Sequence, residues 1–197
     1  MSAALRPPRV SRERFEQLYA ASDDPWDYRT SAYERQKYAD TLAALPPRAL
    51  GEVLEVGCSI GVFSELLAPR CRRLIAIDFS ARAVALAREQ LASFANVELA
   101  QASFPEQVSA GEWDLVVCSE VLYYLDETTF ERATRWLRTR LERGASVLAV
   151  SWRGEGSQEP MRGDEAHDRL IAKLGRWHAL DARRRGYRLD RFDADGV

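Results

Sequence analysis

The feature that most constrains this chain is a strand, a glycine turn, a helix, a second strand and an acidic residue in immediate succession. The apolar run of residues 53–56 leads into residues 57–62, a turn flanked by Gly57 and Gly61. A helical stretch follows, and a second apolar run then ends on Asp78. This order is typical of the mononucleotide-binding half of an open parallel α/β sheet. In such a unit the glycines let a ligand approach the backbone, and the carboxylate can accept both hydroxyls of a ribose.

The glycine spacing narrows the choice of nucleotide. A dinucleotide-binding turn has glycines at the first, third and sixth positions of its motif, where they admit a pyrophosphate at the helix N-terminus. Counted from Gly57, the third and sixth positions are Ser59 and Val62, and the second glycine is Gly61. The spacing therefore argues against a nicotinamide-dependent oxidoreductase.

With Glu55 two residues before Gly57, the turn resembles the first motif of class I S-adenosylmethionine (AdoMet) dependent methyltransferases, E/D-x-G-x-G-x-G. The chain departs from this motif at the middle glycine, which is Ser59, a small residue. The resemblance implies AdoMet as cofactor and S-adenosylhomocysteine as its product. A turn of this kind without a cofactor remains the alternative for the glycines.

Alternating strands and helices continue through the centre of the chain and predict one α/β domain. The expected architecture is a Rossmann-like class I methyltransferase fold: a mostly parallel seven-stranded sheet with an antiparallel C-terminal strand and helices on both faces. The predicted strands cover residues 52–57, 73–78, 97–99, 113–118, 145–150, 177–182 and 187–192. Helices are predicted at 61–68, from 80 onwards, around 130–141 and at 164–175.

Residues 1–50 are predicted to form an N-terminal helical segment that precedes a core of residues 51–197. Ser11 is a candidate helix cap, and a second helix is predicted over residues 31–45, before Pro46 and Pro47. The aromatic residues of this segment are expected to close over the cofactor as a lid, with Arg35 or Lys37 pairing with the cofactor's carboxylate. The alternative is a pair of helices packed on the sheet with a solvated charged face.

Composition indicates an ordinary globular enzyme and gives no reason to expect a nucleic-acid partner, because the net charge is only -2. No apolar stretch is long enough to span a bilayer, and the first eight residues lack an apolar core for export. The three cysteines are odd in number and lack metal-ligand spacing, which favours reduced thiols, no metal and a cytoplasmic location.

Candidate cofactor-binding residues lie at the carboxyl ends of the predicted strands, where ligands bind in open α/β sheets. Asp78 is expected to bind the ribose, although it can also serve beside the helix cap at Ser80. Phe79 is a candidate to stack on adenine or to pack in the core, and Ser103 stands where the family has aspartate. The complete set is Glu55, Gly57, Cys58, Gly61, Asp78, Phe79, Ser103, Phe104, Ser119 and Arg35.

Four further segments resemble the smaller family of NodS-like methyltransferases, namely residues 24–28, 33–35, 119–124 and 163–168. The founding members of that family N-methylate the deacetylated terminal glucosamine of rhizobial lipo-chitooligosaccharide signals. The resemblance covers about residues 15–193. It implies N-methyl transfer to an amino sugar or a related saccharide, with a small molecule rather than a nucleic acid or a membrane as partner.

An amine must be neutral to attack the methyl group, so a side chain near the acceptor has to take its proton. The catalytic candidates are Glu120, Tyr124 and His167, and Glu120 leads because it follows the fourth strand. Tyr124 can instead be a packing residue, and a lone histidine is often structural. An O- or C-methyltransferase for another small molecule and a non-catalytic AdoMet-binding protein remain the alternatives.

Overall fold

A computed structural model describes residues 11–108, 111–154 and 159–194 of the chain. Within these ranges seven strands form one sheet in the order β3-β2-β1-β4-β5-β7-β6. The strands are β1 Leu50–Val56, β2 Cys71–Asp78, β3 Val97–Gln101, β4 Leu115–Ser119, β5 Ser146–Trp152, β6 His178–Arg183 and β7 Tyr187–Asp193. Only β7 runs antiparallel to its neighbours, which confirms the predicted architecture.

Helices follow the strands as the sequence pattern predicts. They are α1 Arg12–Ala21, α2 Ala32–Ala43, α3 Val62–Leu67, α4 Ala81–Gln90, α5 Glu127–Leu141 and α6 Gly163–Leu174. Four of them begin at a polar residue whose side chain accepts a backbone N–H of the first turn: Ser11, Ser31, Ser80 and Asp126. The cap predicted at Ser11 is therefore confirmed.

The central strands are buried on both faces, which explains their nearly continuous apolar sequence. Leu54 and Val56 of β1 pack in one cluster with Phe130 and Leu137 of α5 and with residues of α6. Val53 faces the opposite way and joins a second cluster formed with α3 and α2. Truncating a fully buried ring such as Phe130 to alanine would cost about 3–5 kcal/mol.

The order of the strands creates a crevice at the centre of the sheet. From β1 the chain moves outward through β2 to β3, then returns to place β4 on the other side of β1. Ligands of open α/β sheets bind outside the carboxyl ends of the strands at such a switch point. The residues that follow β1, β2 and β4 consequently meet there.

The two N-terminal helices dock on different parts of the core. Helix α1 packs against α4, where Glu16 Oε1 accepts a hydrogen bond of 2.7 Å from the Ala81 amide. Helix α2 is tied to the β6–β7 hairpin, since Asp40 accepts hydrogen bonds from Arg184 at 2.7 Å and from Tyr187 at 2.9 Å. The division into a lid and a core stays a prediction. Residues 1–10, which include the segment predicted to lack an export signal, lie outside the described residues.

None of the helices in the described part of the chain combines the length and the apolar character that crossing a membrane requires.

Candidate functional site

A cavity of about 460 Å³ lies at the switch point, between the carboxyl ends of the strands and the N-terminal helices. Its volume is in the range of small-molecule and cofactor sites. Eight of the predicted site residues line it: Gly57, Asp78, Phe79, Ser103, Phe104, Ser119, Glu120 and Tyr124. Aromatic residues from the N-terminal segment cover it: Phe15, Tyr19, Trp26, Tyr28 and Tyr33.

The glycine turn fits closely against the end of β4. Gly57 has a φ of +84°, and a Cβ atom there would lie 2.4 Å from the Ser119 carbonyl oxygen and 2.3 Å from a Val121 methyl. On its other side the turn is anchored by the amides of Gly57 and Cys58, which both donate to the Ile77 carbonyl. Only glycine satisfies both the left-handed conformation and the close approach.

Ser59, the departure from the family's middle glycine, has its own stabilising contact. Its φ is +50°, a left-handed conformation that is uncommon for residues other than glycine. Its hydroxyl lies 2.6 Å from the hydroxyl of Tyr19 on α1. This hydrogen bond joins the turn to the N-terminal segment, so the serine links α1 to the site in a way that glycine cannot.

Asp78 ends β2 and turns its carboxylate toward the glycine turn. One oxygen accepts the Ser59 amide at 3.0 Å, and the other accepts the Ser80 amide at 2.9 Å. Burial raises the pKa of Asp78 to about 6, although these backbone hydrogen bonds act in the opposite direction. A carboxylate has about four acceptor sites, more than its backbone partners use, so the group can still accept a hydroxyl from a ligand in the cavity.

The residues after β2 and β3 form a neighbouring part of the wall. Phe79 packs edge-on against Phe15, with ring centroids 4.9 Å apart. The Ser103 hydroxyl accepts a hydrogen bond of 3.0 Å from Arg12 of α1. Ser103 thus meets a cation of the N-terminal segment with its side chain, at the position where the family pattern has a carboxylate.

Three members of the predicted cofactor set lie behind the turn, outside the lining of this cavity. Glu55 is buried and accepts the Ser64 hydroxyl at 2.6 Å, and burial raises its pKa to about 7. Cys58 is also buried, and Gly61 faces Leu91, the residue that follows α4. These three residues support the turn from behind and do not line the cavity.

The structure places two other predicted site residues away from the cavity. His167 is fully buried on α6, and its Nδ1 lies 2.6 Å from a carboxylate oxygen of Asp190 on β7. Arg35 donates to the Thr30 carbonyl at 2.6 Å. Neither side chain lines the cavity. His167 is held in the core by a buried carboxylate, and Arg35 lies on a different face of α2 from the cavity residues, so the structure places neither of them at the cavity.

Glu120 follows β4 and has a left-handed backbone, with a φ of +54°. Its carboxylate accepts hydrogen bonds from Lys37 Nζ at 2.6 Å, from the Tyr123 hydroxyl at 2.8 Å and from the Trp152 amide at 2.8 Å. Tyr124 packs edge-on against Phe15 at 5.1 Å. Glu120 therefore connects α2 to β5 across the cavity wall.

Glu34 completes a cluster with Lys37 and Glu120 that the sequence patterns do not predict. We call these three residues the Lys37 cluster. Lys37 Nζ lies 2.9 Å from Glu34 Oε2 and 2.6 Å from Glu120 Oε1. Burial lowers the pKa of Lys37, but the two carboxylates outweigh this effect and raise it; burial also raises the pKa of Glu34. The i,i+3 spacing of Glu34 and Lys37 predicts the pairing, but the cavity they face depends on how α2 docks.

Comparisons with known proteins agree with this geometry. The family model for nodulation protein S (NodS) matches residues 11–154. The chain is 35% identical over 139 residues to nodulation protein S of Bradyrhizobium diazoefficiens, with 68% of this chain and 66% of that protein aligned. It is 33% identical over 132 residues to the Sinorhizobium fredii protein of the same name, with 66% of this chain and 58% of that protein aligned. The alignments thus span less than two thirds of these relatives.

The fold is shared with a crystal structure of N-methyltransferase NodS from Bradyrhizobium japonicum WM9 in complex with S-adenosyl-L-homocysteine. The TM-score is 0.78 at 24% identity, and the match covers 94% of this chain and 100% of that one.

Proposed function

Because the chain belongs to the nodulation protein S family of class I AdoMet-dependent methyltransferases, we propose that it N-methylates a small acceptor, an amino sugar or a deacetylated chitooligosaccharide-like saccharide. The observation that carries this proposal is that one cavity contains both the glycine turn with Asp78 and the carboxylate of Glu120. The turn and Asp78 suit a nucleoside, and the negative charge that Glu120 contributes to the wall suits a cationic amine.

The residues around the turn fit the cofactor. Asp78 would accept the ribose hydroxyls, while Phe79 and Phe104 offer apolar surface for adenine. Ser103 and Ser119 add polar atoms at the wall. Bound AdoMet supplies a methyl group already activated on a sulfonium. The protein's remaining tasks are therefore to align the acceptor, exclude water and accept a proton.

The N-terminal segment supports the exclusion of water. Phe15, Trp26 and Tyr28 cover the cavity, and α1 is joined to its wall through the Tyr19–Ser59 hydrogen bond. We propose that residues 11–50 act as a lid over a methyltransferase core of residues 51–197. Such a lid would open for exchange of the cofactor and close before the reaction.

The other walls favour a saccharide amine as acceptor. Trp152 lines the cavity with 37% of its surface exposed, and Tyr33 is exposed to the same extent. Exposed rings of this kind can stack on the apolar face of a sugar, while a carboxylate meets its amino group. The relative in Bradyrhizobium japonicum is an N-methyltransferase, which supports nitrogen as the atom methylated.

Two measurements test the proposal. Calorimetry with S-adenosylhomocysteine and with NADH should detect only the first ligand. Transfer of labelled methyl from AdoMet should then occur to deacetylated chitooligosaccharides and fail with their fully N-acetylated counterparts. Turnover of a catechol or carboxylate panel without turnover of amino sugars would favour an O-methyltransferase. Binding of S-adenosylhomocysteine without any turnover would favour a non-catalytic protein.

A further inference from the structure

Resting on the proposed function, we infer that Glu34 is the residue that takes the proton from the acceptor's ammonium group, and that Lys37 and Glu120 position it. Glu34 lies on α2, lines the cavity and is only 6% exposed. The inference deepens the proposed function, because it names the group that makes an amine nucleophilic at neutral pH.

The charge of the Lys37 cluster is unbalanced. Two carboxylates share one ammonium group, and Lys37 itself is only 3% exposed. Among the residues the structure describes, the ion pairs of Glu34 and Glu120 involve Lys37 alone. A buried negative charge without a partner is costly. The cluster is therefore suited to one additional positive charge, which a protonated amine in the cavity would supply.

The two carboxylates differ in their capacity to accept a proton. Glu120 already accepts three hydrogen bonds, one of them from an ammonium group, and this favours its ionised form. Glu34 Oε1 accepts Lys37 Nζ at 3.1 Å. Its buried Oε2 has no hydrogen bond within the described residues, although Nζ lies 2.9 Å away in an unfavourable direction. Glu34 therefore has fewer hydrogen-bond donors around its carboxylate than Glu120 has.

The surroundings of Glu34 make it a stronger base than an exposed carboxylate. Burial raises the pKa of Glu34, and the negative charge of Glu120 acts in the same direction, while Lys37 and Tyr38 oppose them. Tyr33 also interacts with Glu34, and its ring lies 5.4 Å from Lys37 Nζ. A carboxylate whose pKa approaches the working pH accepts a proton more effectively.

The proton transfer is balanced. An N–H bond of the acceptor's ammonium breaks, its electron pair stays on nitrogen as the nucleophilic lone pair, and an O–H bond forms on Glu34. The cluster then carries one ammonium and one carboxylate, so its charge is neutral. Lys37 touches Glu34, and Glu120 in turn holds Lys37, so both act on the reaction through the proton acceptor and are positioning residues.

The test compares the pH dependence of kcat/KM for Glu34→Gln and the unmodified protein, with deacetylated chitobiose as acceptor. We expect Glu34→Gln to lose at least 100-fold in kcat/KM at pH 6.5 and less than 10-fold at pH 9, because at the higher pH the amine is already neutral without a base. Glu34→Asp should restore the shape of the profile. Asp40→Asn is the control, because Asp40 lies on the same helix but accepts hydrogen bonds from the β6–β7 hairpin. This variant should change kcat/KM by the same factor at every pH. An equal loss for Glu34→Gln at every pH would overturn the inference.

A binding measurement distinguishes a failure of this inference from a failure of the proposed function. With S-adenosylhomocysteine at saturation and pH 6.5, the unmodified protein should bind deacetylated chitobiose at least 10-fold more tightly than Glu34→Gln does. Both proteins should bind N,N′-diacetylchitobiose equally weakly. If the unmodified protein methylates no amine at any pH, the proposed function fails. The binding comparison still decides the role of Glu34, because equal affinities or no binding of the amine would refute it.

Discussion

Substituting Gly57 by alanine should damage both the stability of the protein and its cofactor site. The left-handed φ of +84° costs about 1–2 kcal/mol for any residue with a Cβ. The new atom would also lie 2.4 Å from the Ser119 carbonyl oxygen and 2.3 Å from Val121, both far inside van der Waals contact. Forced overpacking of this kind adds about 1–3 kcal/mol. The expected loss of unfolding free energy is therefore about 2–5 kcal/mol.

Gly144 provides a matched control for the conformational part of this cost. It follows α5 with a φ of +96°, and an added Cβ there meets no atom within 4 Å. Gly144→Ala should consequently lose only about 1–2 kcal/mol. Urea unfolding measures both losses, and calorimetry measures the affinity for S-adenosylhomocysteine. Relief of the Gly57 clash must move the turn or Ser119, which both line the cavity, so we expect at least a 10-fold loss of affinity for Gly57→Ala and none for Gly144→Ala.

Two results would refute this reasoning. Equal losses of stability for the two variants would mean that the close approach to β4 contributes nothing. An affinity within twofold of the unmodified protein for Gly57→Ala would mean that the turn does not shape the cofactor site.

Three further predictions follow from the buried carboxylates and the histidine. The pKa of Glu55, about 7, lies above its ordinary 4.5, so its ionisation destabilises the fold as pH rises through about 7. Glu55→Gln should therefore raise the unfolding free energy at pH 8 by about 1–3 kcal/mol and leave it unchanged at pH 4, as urea titrations at both pH values would reveal. Asp78→Asn should weaken the binding of S-adenosylhomocysteine at least 10-fold, as measured by calorimetry. Asp23→Asn, which alters an exposed ion pair, should leave this affinity unchanged. An unchanged affinity for Asp78→Asn would remove Asp78 from the cofactor site. His167→Asn should cost about 2–4 kcal/mol in urea unfolding because it breaks a buried contact with Asp190. It should keep kcat within threefold at 15 °C, and a 100-fold loss of kcat in the folded variant would restore His167 as a catalytic candidate.

Local patterns in the sequence were sufficient to predict the sheet and the edge at which the site lies. Each strand is a short apolar run bounded by a turn residue, and this signal depends only on neighbouring residues. Asp78 was found because it directly follows such a run, and parallel strands bring their carboxyl ends to one edge. Seven strands with an antiparallel β7 were predictable in the same way.

Tertiary contacts determine which side chains of α2 face the cavity. The sequence offered Arg35 or Lys37 as a cation toward the cavity, and neighbouring positions on a helix point in different directions. Asp40 fixes the rotation of α2 through Arg184, a partner 144 residues away in the chain. This docking turns Glu34 and Lys37 toward the cavity and leaves Arg35 outside it.

The position of His167 was likewise determined by tertiary packing and not by the local sequence. Its residue type suggested an acid–base role, but a residue type carries no information about which face of α6 meets β7. The structure places it against Asp190, in the core. The sequence by itself therefore determined the sheet, the glycine turn and the acidic residue after β2, because these follow from order along the chain. Only the tertiary structure decided which charged groups share the cavity, because that depends on how distant elements pack.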